Sequence, residues 1–149
     1  MYSLKTADSA ALWETAANLI HELAEYENLT DVCKSTTDDI KNLFKENLLQ
    51  AVIAFDANDK PAGLLTYFYM VSTFYGKKIA YMDDLFLREE HRHKGLGKQL
   101  LHKFEQIAYD NNCCKLEWKC LTWNKPAQGF YESFGGQKDN ENMTYFKIL

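Results

Sequence analysis

The sequence of 149 residues has little that would place it in a membrane or mark it for export. No apolar run approaches the roughly 20 residues that a membrane-spanning helix needs. The first residues, Met1 to Lys5, do not lead into the apolar stretch of a signal peptide. We therefore expect a soluble, cytoplasmic protein without a membrane partner.

The cysteines lack the spacing of a metal site or a redox motif. Cys33, Cys113, Cys114 and Cys120 form no C-x-x-C pair and no zinc-ligand pattern. Such cysteines are typical of reduced thiols in a cytoplasmic protein. The H-x-H formed by His91 and His93 has no evident third ligand, so we predict no metal.

Repeats, low-complexity tracts and linkers are absent as well. The length suffices for a hydrophobic core, so we predict a single domain over residues 1–149. Hydrophobic residues make up 46% and charged residues 26%, a balance typical of globular proteins. The formal net charge of -4 disfavours nucleic acid as the main partner and favours a cationic one.

Hydrophobic periodicity predicts strands that alternate with helices. We expect a helix capped by Asp8 that runs to about Tyr26, and a second helix that begins near Thr36 or Thr37. A long helix follows Leu96, and a short one has Pro126 in its first position. Strands are predicted at 1–7, 50–55, 62–71, 79–87, 115–121 and 144–149. This alternation around a mixed sheet predicts an α/β fold.

The most informative segment is Arg92-His93-Lys94-Gly95-Leu96-Gly97, which follows a predicted strand and opens a predicted helix. The first amides of a helix have no internal acceptor and carry partial positive charge, and glycines let a phosphate approach them closely. Basic residues also concentrate here: Arg88, Arg92, Lys94, Lys98 and Lys103. The segment matches neither a Walker loop nor G-x-G-x-x-G. It predicts a site for a group with several phosphate charges; a solvated basic helix start is the alternative.

The same segment resembles the [Arg/Gln]-x-x-Gly-x-[Gly/Ala] signature of the GNAT superfamily of N-acetyltransferases, at Arg92, Gly95 and Gly97. Downstream, Asn124 to Gly135 is similar to the superfamily's Asn-x-x-Ala-x-x-Phe-Tyr-x-x-x-Gly segment. The resemblance implies the GNAT fold, a central mixed, mostly antiparallel twisted sheet flanked by about four helices. It also implies acetyl-CoA as the acyl donor, direct transfer to an amine, and no metal.

Within the superfamily, residues 21–27, 81–87 and 146–148 resemble the spermidine/spermine (diamine) acetyltransferase branch. That branch implies a small-molecule amine acceptor and a homodimer. The chain departs from it in having Asp83-Asp84 for Glu-Asp, and Ser72-Thr73-Phe74 for Asp-Pro-Trp. Thialysine-like and other small amines, and peptide amines, therefore remain open beside polyamines.

The chemistry of amine acetylation requires a base, because an amine with a pKa near 10.4 is almost fully protonated at pH 7 and cannot attack. A carboxylate can take that proton. The match to the branch assigns this role to Asp83. Asp84 is the alternative, on the opposite face of the strand. The resemblance makes Tyr131 the general acid for the leaving thiolate.

The resemblance also implies which residues bind the donor and the acceptor. The pantetheine arm is expected along the backbone of Leu85, Phe86 and Leu87, and an amide near Leu85 is placed to stabilise the oxyanion. The remaining residues predicted to bind the donor are Arg92, His93, Lys94, Gly95, Leu96, Gly97, Lys98, Asn124 and Tyr131. The branch match implies Phe74 and Asp84 as acceptor contacts. Apart from the resemblance, the acidic run that contains Glu22 and Glu27 is predicted to attract a cationic acceptor, with a solvated acidic face as the alternative.

Two alternatives stay open at this point. One is an N-acetyltransferase that acts on a peptide or protein. The other is a regulatory module that binds coenzyme A without turnover and would need neither Tyr131 nor the two aspartates. An unrelated nucleotide-binding protein is disfavoured by the Asn124 to Gly135 match.

Overall fold

A computed structural model describes all 149 residues and confirms the predicted α/β class. The five strands are β1 (Ser3–Thr6), β2 (Gln50–Phe55), β3 (Pro61–Ser72), β4 (Lys77–Leu87) and β5 (Lys115–Trp118). The four α-helices are α1 (Ala10–Tyr26), α2 (Thr37–Lys45), α3 (Leu96–Asp110) and α4 (Lys125–Ser133). The chain divides into two compact units, Met1–Lys119 and Cys120–Leu149, which are described separately.

The sheet belongs to the first unit and has the strand order β1-β2-β3-β4-β5. The first four strands are antiparallel, and β5 joins β4 in parallel after α3. β5 pairs only with Ile79 to Met82, whereas β3 pairs along β4 from Lys77 to Leu87. Residues 84–87 of β4 therefore have a strand neighbour on one edge only.

Helices cover both faces of this sheet because their apolar residues recur every three or four positions. On one face, Ala16 and Leu19 of α1 and Phe44 of α2 pack against buried strand residues that include Leu64. On the other face, α3 buries Phe104, whose ring lies 5.5 Å from that of Tyr67. Leu64 and Tyr67 are three residues apart in β3, and successive side chains of a strand point to opposite faces, so the two residues face different helices.

The ends of several elements differ from the prediction. Ser9, not Asp8, caps α1, because the hydroxyl oxygen of Ser9 accepts the amide of Leu12 at 3.4 Å. Thr36 caps α2 as predicted, in a reciprocal arrangement with Asp39. Pro126 occupies the second helical position of α4, where its missing N–H also costs no hydrogen bond. β5 ends at Trp118, three residues earlier than predicted.

The predicted last strand at 144–149 is wrong. The structure assigns no strand there, and Tyr145, Phe146 and Ile148 are more than four-fifths exposed. A β-prone composition alone does not make a strand, because the backbone groups of a strand must pair with a neighbour.

None of the helices is both long and apolar enough to cross a membrane.

Candidate active site

A β-bulge interrupts β4 at the two aspartates. Thr66 of β3 stands opposite Asp84, and the next residue, Tyr67, stands opposite Met82. Asp83 is therefore the extra residue of the bulge and has no partner in β3. The two acids differ sharply in their surroundings, since Asp83 is exposed and Asp84 is half-buried.

Asp84 is held by Thr66. The hydroxyl of Thr66 donates to the Oδ2 atom of Asp84 at 2.5 Å and accepts the backbone amide of Asp84 at 3.0 Å. Burial raises the pKa of the Asp84 carboxyl to about 6. The hydrogen bond from Thr66 opposes this rise, and the negative charges of Asp83 and Glu27 add to it. The carboxyl is thus ionised at neutral pH but holds a proton more firmly than an ordinary aspartate.

The two glutamates predicted to bind the acceptor have different surroundings. Glu27, at the C-terminal end of α1, is exposed and within electrostatic reach of Asp84. Glu22, one and a half turns earlier, is engaged by Arg88, whose Nε and Nη2 atoms donate to the two carboxylate oxygens at 2.9 and 2.6 Å. Arg88 also donates to the carbonyl oxygen of Pro61 at 2.7 Å. The charge of Glu22 is therefore compensated within the fold, whereas that of Glu27 contributes to the raised pKa of Asp84.

The open edge of β4 lies beside these acids. The amide of Asp84 points towards β3, because it donates to Thr66. Successive amides of a strand alternate between its two edges, so the amide of Leu85 points towards the other edge, where β5 no longer pairs. Leu85 and Leu87 are half-buried and Phe86 is buried. An extended chain could pair with this edge as an added strand.

The predicted phosphate loop follows β4 and ends at the start of α3. Gly95, the N-cap of α3, has a φ of 78°, a left-handed conformation that favours glycine. No side chain caps this helix, so the amides of its first turn have no acceptor within it. His93, Lys94 and Lys98 are exposed around these amides, whereas Leu96 and Gly97 are buried. The loop is thus an amide-rich, cationic helix start that could bind phosphate.

Arg92 ties this loop to the rest of the first unit. Its Nε atom donates to the carbonyl oxygen of Leu87 at 3.0 Å, and its guanidinium carbon lies 4.1 Å from the ring centre of Tyr26. Tyr26 in turn packs against Phe86, with 6.3 Å between ring centres. The arginine thus connects the end of β4, the end of α1 and the loop.

Phe74, the last predicted acceptor contact, lies far from the two aspartates along the sheet. It is 99% exposed at the tip of the hairpin between β3 and β4. Six residues separate Thr66 from Ser72, where β3 ends, which corresponds to about 20 Å along the strand. The structure therefore does not bring Phe74 together with Asp84.

The second unit contains the two downstream residues of the predicted site. The side-chain oxygen of Asn124 accepts the amide of Ala127 at 3.2 Å and so caps α4. Tyr131 lies on the last full turn of α4, half-buried, with its ring 5.5 Å from that of Phe130. Asn124 therefore has a structural role in addition to any contact with a donor.

The sequence analysis missed the positioning role of three residues, although it counted Arg88 among the basic residues near the phosphate loop. Thr66 left a signal, since it is the one aliphatic hydroxyl within the otherwise apolar or aromatic run Leu64–Tyr67 and a buried polar group needs a partner. Tyr26 and Arg88 left none, because their partners, Arg92 and Glu22, are 66 residues away along the chain.

Comparison with known proteins finds relatives over most of the chain. A model of the acetyltransferase (GNAT) family matches residues 14–136. The thialysine N-epsilon-acetyltransferase of Caenorhabditis elegans is 32% identical over 120 residues, which are 80% of this chain and 74% of that protein. The spermidine/spermine N(1)-acetyltransferase-like protein 1 of Homo sapiens is 30% identical over 125 residues, 78% of this chain and 18% of that protein.

Solved structures share the fold over nearly the whole chain. An integron cassette protein from the mobile metagenome of V. cholerae is 26% identical, with a TM-score of 0.81 over 99% of this chain and 93% of that one. An aminoglycoside acetyltransferase from an uncultured soil metagenomic sample has a TM-score of 0.84 at 16% identity, over 99% and 96% of the two chains. At that identity the likeness shows the fold alone.

Proposed function

The chain belongs to the acetyltransferase (GNAT) family and is an N-acetyltransferase, and from this premise we propose that it transfers an acetyl group from acetyl-CoA directly to a primary amine of a small cationic acceptor. Acetyl-CoA is the donor that GNAT enzymes use. Relatives named for thialysine and for spermidine and spermine support an acceptor of this class.

Two features of the first unit support acetyl-CoA as the donor. The uncapped start of α3, with Lys94 and Lys98 around it, suits the phosphates of coenzyme A. The edge of β4 from Asp83 to Leu87, which β5 leaves unpaired, suits the amides of the pantetheine arm. The Leu85 amide that points to this edge would stabilise the oxygen of the thioester carbonyl as negative charge develops on it.

We assign the base to Asp84 rather than to Asp83. The observation that carries the proposal is the half-buried Asp84 carboxyl with a pKa raised to about 6, beside the open edge of β4. Such a carboxyl is largely ionised at pH 7 and is a stronger base than an exposed aspartate. The negative charges of Asp83 and Glu27 nearby favour a cationic acceptor, which they would attract before its proton is removed.

The reaction balances without a further reactant. Asp84 takes one proton from the ammonium group, and the free amine attacks the thioester carbonyl carbon. The carbon–sulfur bond breaks as the amide forms, and the thiolate of coenzyme A leaves. Tyr131, which the GNAT resemblance makes the general acid, would protonate it. The amide nitrogen loses its second proton to solvent.

A homodimer remains part of the proposal. Ser72, two residues before Phe74, lies about 20 Å along β3 from Thr66, the partner of Asp84. Phe74 could therefore reach a short acceptor bound at Asp84 only from another subunit. Sedimentation at micromolar concentration tests this: a dimer is expected, and a monomer alone would remove Phe74 from the acceptor site.

The test of the function is an acetyl-CoA turnover assay with a panel of amines, read by thiol release and by mass spectrometry of the product. The panel holds thialysine, ornithine, spermidine, spermine, a neutral-side-chain amino acid and short peptides. We expect N-acetylated product from at least one small cationic amine. Intact-mass analysis of enzyme mixed with acetyl-CoA alone should show no acetylated protein, as direct transfer requires.

Other outcomes contradict specific parts of the proposal. Turnover of peptides alone would mean that the acceptor is a peptide amine and not a small cationic amine. A stable acetyl-enzyme that passes its acetyl group to the amine would contradict direct transfer and indicate a two-step reaction. Tight binding of coenzyme A without turnover on any amine would favour a regulatory module.

A further inference from the structure

We propose that Thr66 is a positioning residue for acetyl transfer, whose hydroxyl fixes the orientation of the Asp84 carboxylate across the β-bulge. This inference rests on the proposed function, because it gives Thr66 a role only if Asp84 serves as the base. Thr66 would not touch the acceptor, since its side chain is fully buried.

The hydroxyl of Thr66 is buried. Thr66 is the one polar residue buried in the core, with 0% of its surface exposed, and its chain neighbour Leu65 is equally buried. A buried hydroxyl costs free energy unless it is hydrogen-bonded, and a valine of the same shape would fill the same space without that cost. Packing alone therefore does not account for a hydroxyl at this position.

Both hydrogen bonds of the Thr66 hydroxyl go to one residue, Asp84. Thr66 donates to Oδ2 of Asp84 and accepts its backbone amide, which fixes the side chain and the backbone of Asp84 together. A hydroxyl has one proton to donate, so the donor capacity of Thr66 is fully used by the carboxylate. The contact leaves Oδ1 as the carboxylate oxygen for the proton of the acceptor amine.

The β-bulge lies next to Asp84. The extra residue Asp83 lies between Met82 and Asp84, so the regular ladder between β3 and β4 is interrupted where the site needs a fixed side chain. The Thr66 hydroxyl supplies a side-chain link at that interruption. The same hydrogen bond favours the ionised carboxylate and so opposes the effect of burial.

The test compares Thr66→Val, which keeps the shape and removes the hydroxyl, with Thr66→Ser, which keeps the hydroxyl. Two readouts are needed: the pH dependence of kcat/KM for the amine, and the titration of the Asp84 carboxyl carbon by NMR without substrate. In Thr66→Val we expect the Asp84 midpoint and the acidic limb of the rate profile to move to higher pH together. We also expect kcat at pH 7 to fall by roughly tenfold or more, because the lost hydrogen bond involves a charged group. The KM for acetyl-CoA should stay unchanged, and Thr66→Ser should resemble the wild type.

Three results would overturn the inference, and they separate it from the proposed function. An unmoved NMR midpoint in folded Thr66→Val, with activity still lost in Asp84→Asn, overturns the role of Thr66 alone. A moved NMR midpoint with an unmoved rate limb overturns Asp84 as the base and, with it, the role of Thr66. A Thr66→Ser variant as impaired as Thr66→Val shows that the methyl group, not the hydroxyl, matters. Thermal denaturation confirms beforehand that each variant is folded.

Discussion

The guanidinium group of Arg92 stacks on the ring of Tyr26, with its central carbon 4.1 Å from the ring centre. The contact joins the last residue of α1 to the loop that we propose to hold the phosphates of the donor. The Nε atom of Arg92 donates to the carbonyl oxygen of Leu87, and the contact with the Tyr26 ring restrains the orientation of the guanidinium group. We therefore expect Tyr26, at the end of the helix that precedes Glu27, to affect donor binding through Arg92.

Removing the ring of Tyr26 is expected to weaken donor binding. Tyr26→Leu keeps an apolar contact with Phe86 but loses the cation–π interaction with Arg92, which contributes about 0.5 to 2 kcal/mol. We expect the Kd for coenzyme A, measured by calorimetry, to rise by roughly 2- to 30-fold. Tyr26→Phe keeps the ring and should bind nearly as the wild type does. Equal binding by Tyr26→Leu and Tyr26→Phe would show that Arg92 does not depend on this contact.

The effect on stability of replacing Asp84 by asparagine should depend on pH. The folded-state pKa of Asp84, about 6, lies above its ordinary value of 3.8, so the folded state holds this proton more tightly than the unfolded state. The stabilisation from this proton is fully present below about pH 3.8 and is lost as pH rises through 6. Relative to the wild type, the free energy of unfolding of Asp84→Asn should increase between pH 4 and pH 8 by on the order of 2 to 3 kcal/mol. Urea denaturation at both pH values measures it.

The exposed neighbour supplies the control for this measurement. Asp83→Asn, measured in the same way, should differ from the wild type far less in its pH dependence, because Asp83 is exposed at the bulge. A pH dependence that is equal in the two variants would mean that burial does not distinguish Asp84.

Glu22 and Glu27 are expected to affect different properties, although both lie near the C-terminal end of α1. Glu22→Gln leaves Arg88 without its charged partner and should lower the free energy of unfolding, by about 1 kcal/mol for a half-exposed pair, with the KM for the amine nearly unchanged. Glu27→Gln should leave stability within about 0.5 kcal/mol and raise the KM for a cationic amine. Thermal denaturation and steady-state kinetics on both variants test this. A raised KM in Glu22→Gln alone would reverse the assignment.

Gly95 is expected to be intolerant of a side chain because of its backbone, not because of crowding. Its φ of 78° is strained for alanine, although a methyl group there would meet no atom within 4 Å. Gly95→Ala should therefore lower the free energy of unfolding by roughly 1 kcal/mol and weaken coenzyme A binding. Gly129→Ala, within α4 and equally uncrowded, should instead stabilise the protein by about 0.5 to 1 kcal/mol. Equal effects of the two substitutions would argue against backbone strain at Gly95.

The sequence was enough to predict the elements whose signals are local. The apolar spacing of α1 and α3, the Thr36 cap and the glycine loop before Leu96 all depend on residues within a few positions of each other. The relationships within the site are not local. The choice between Asp83 and Asp84 depends on a bulge, which only the register against β3 reveals.

The same reasoning explains what the sequence did not predict. Glu22 was predicted to attract a cationic acceptor because it belongs to an acidic run. Its pairing with Arg88 has no local signal in the sequence, since the two residues are 66 positions apart. Residues 144–149 have the composition of a strand, but pairing partners cannot be read from composition. The identities of the base, the donor-binding residues and Tyr131 as the acid remain predictions.

The most direct test of the account is the kcat/KM for the best amine of the panel, measured from pH 5 to pH 9 in the wild type, Asp84→Asn and Asp83→Asn. We expect the wild-type rate to fall on the acidic side with a midpoint near 6, where Asp84 gains its proton. Asp84→Asn should lose roughly 100-fold or more and show no such midpoint. Asp83→Asn should lose far less of the rate and keep an acidic midpoint, moved to lower pH because a negative charge near Asp84 is removed. The opposite pattern, in which Asp83→Asn loses the activity and Asp84→Asn keeps it, would contradict the assignment of Asp84 as the base.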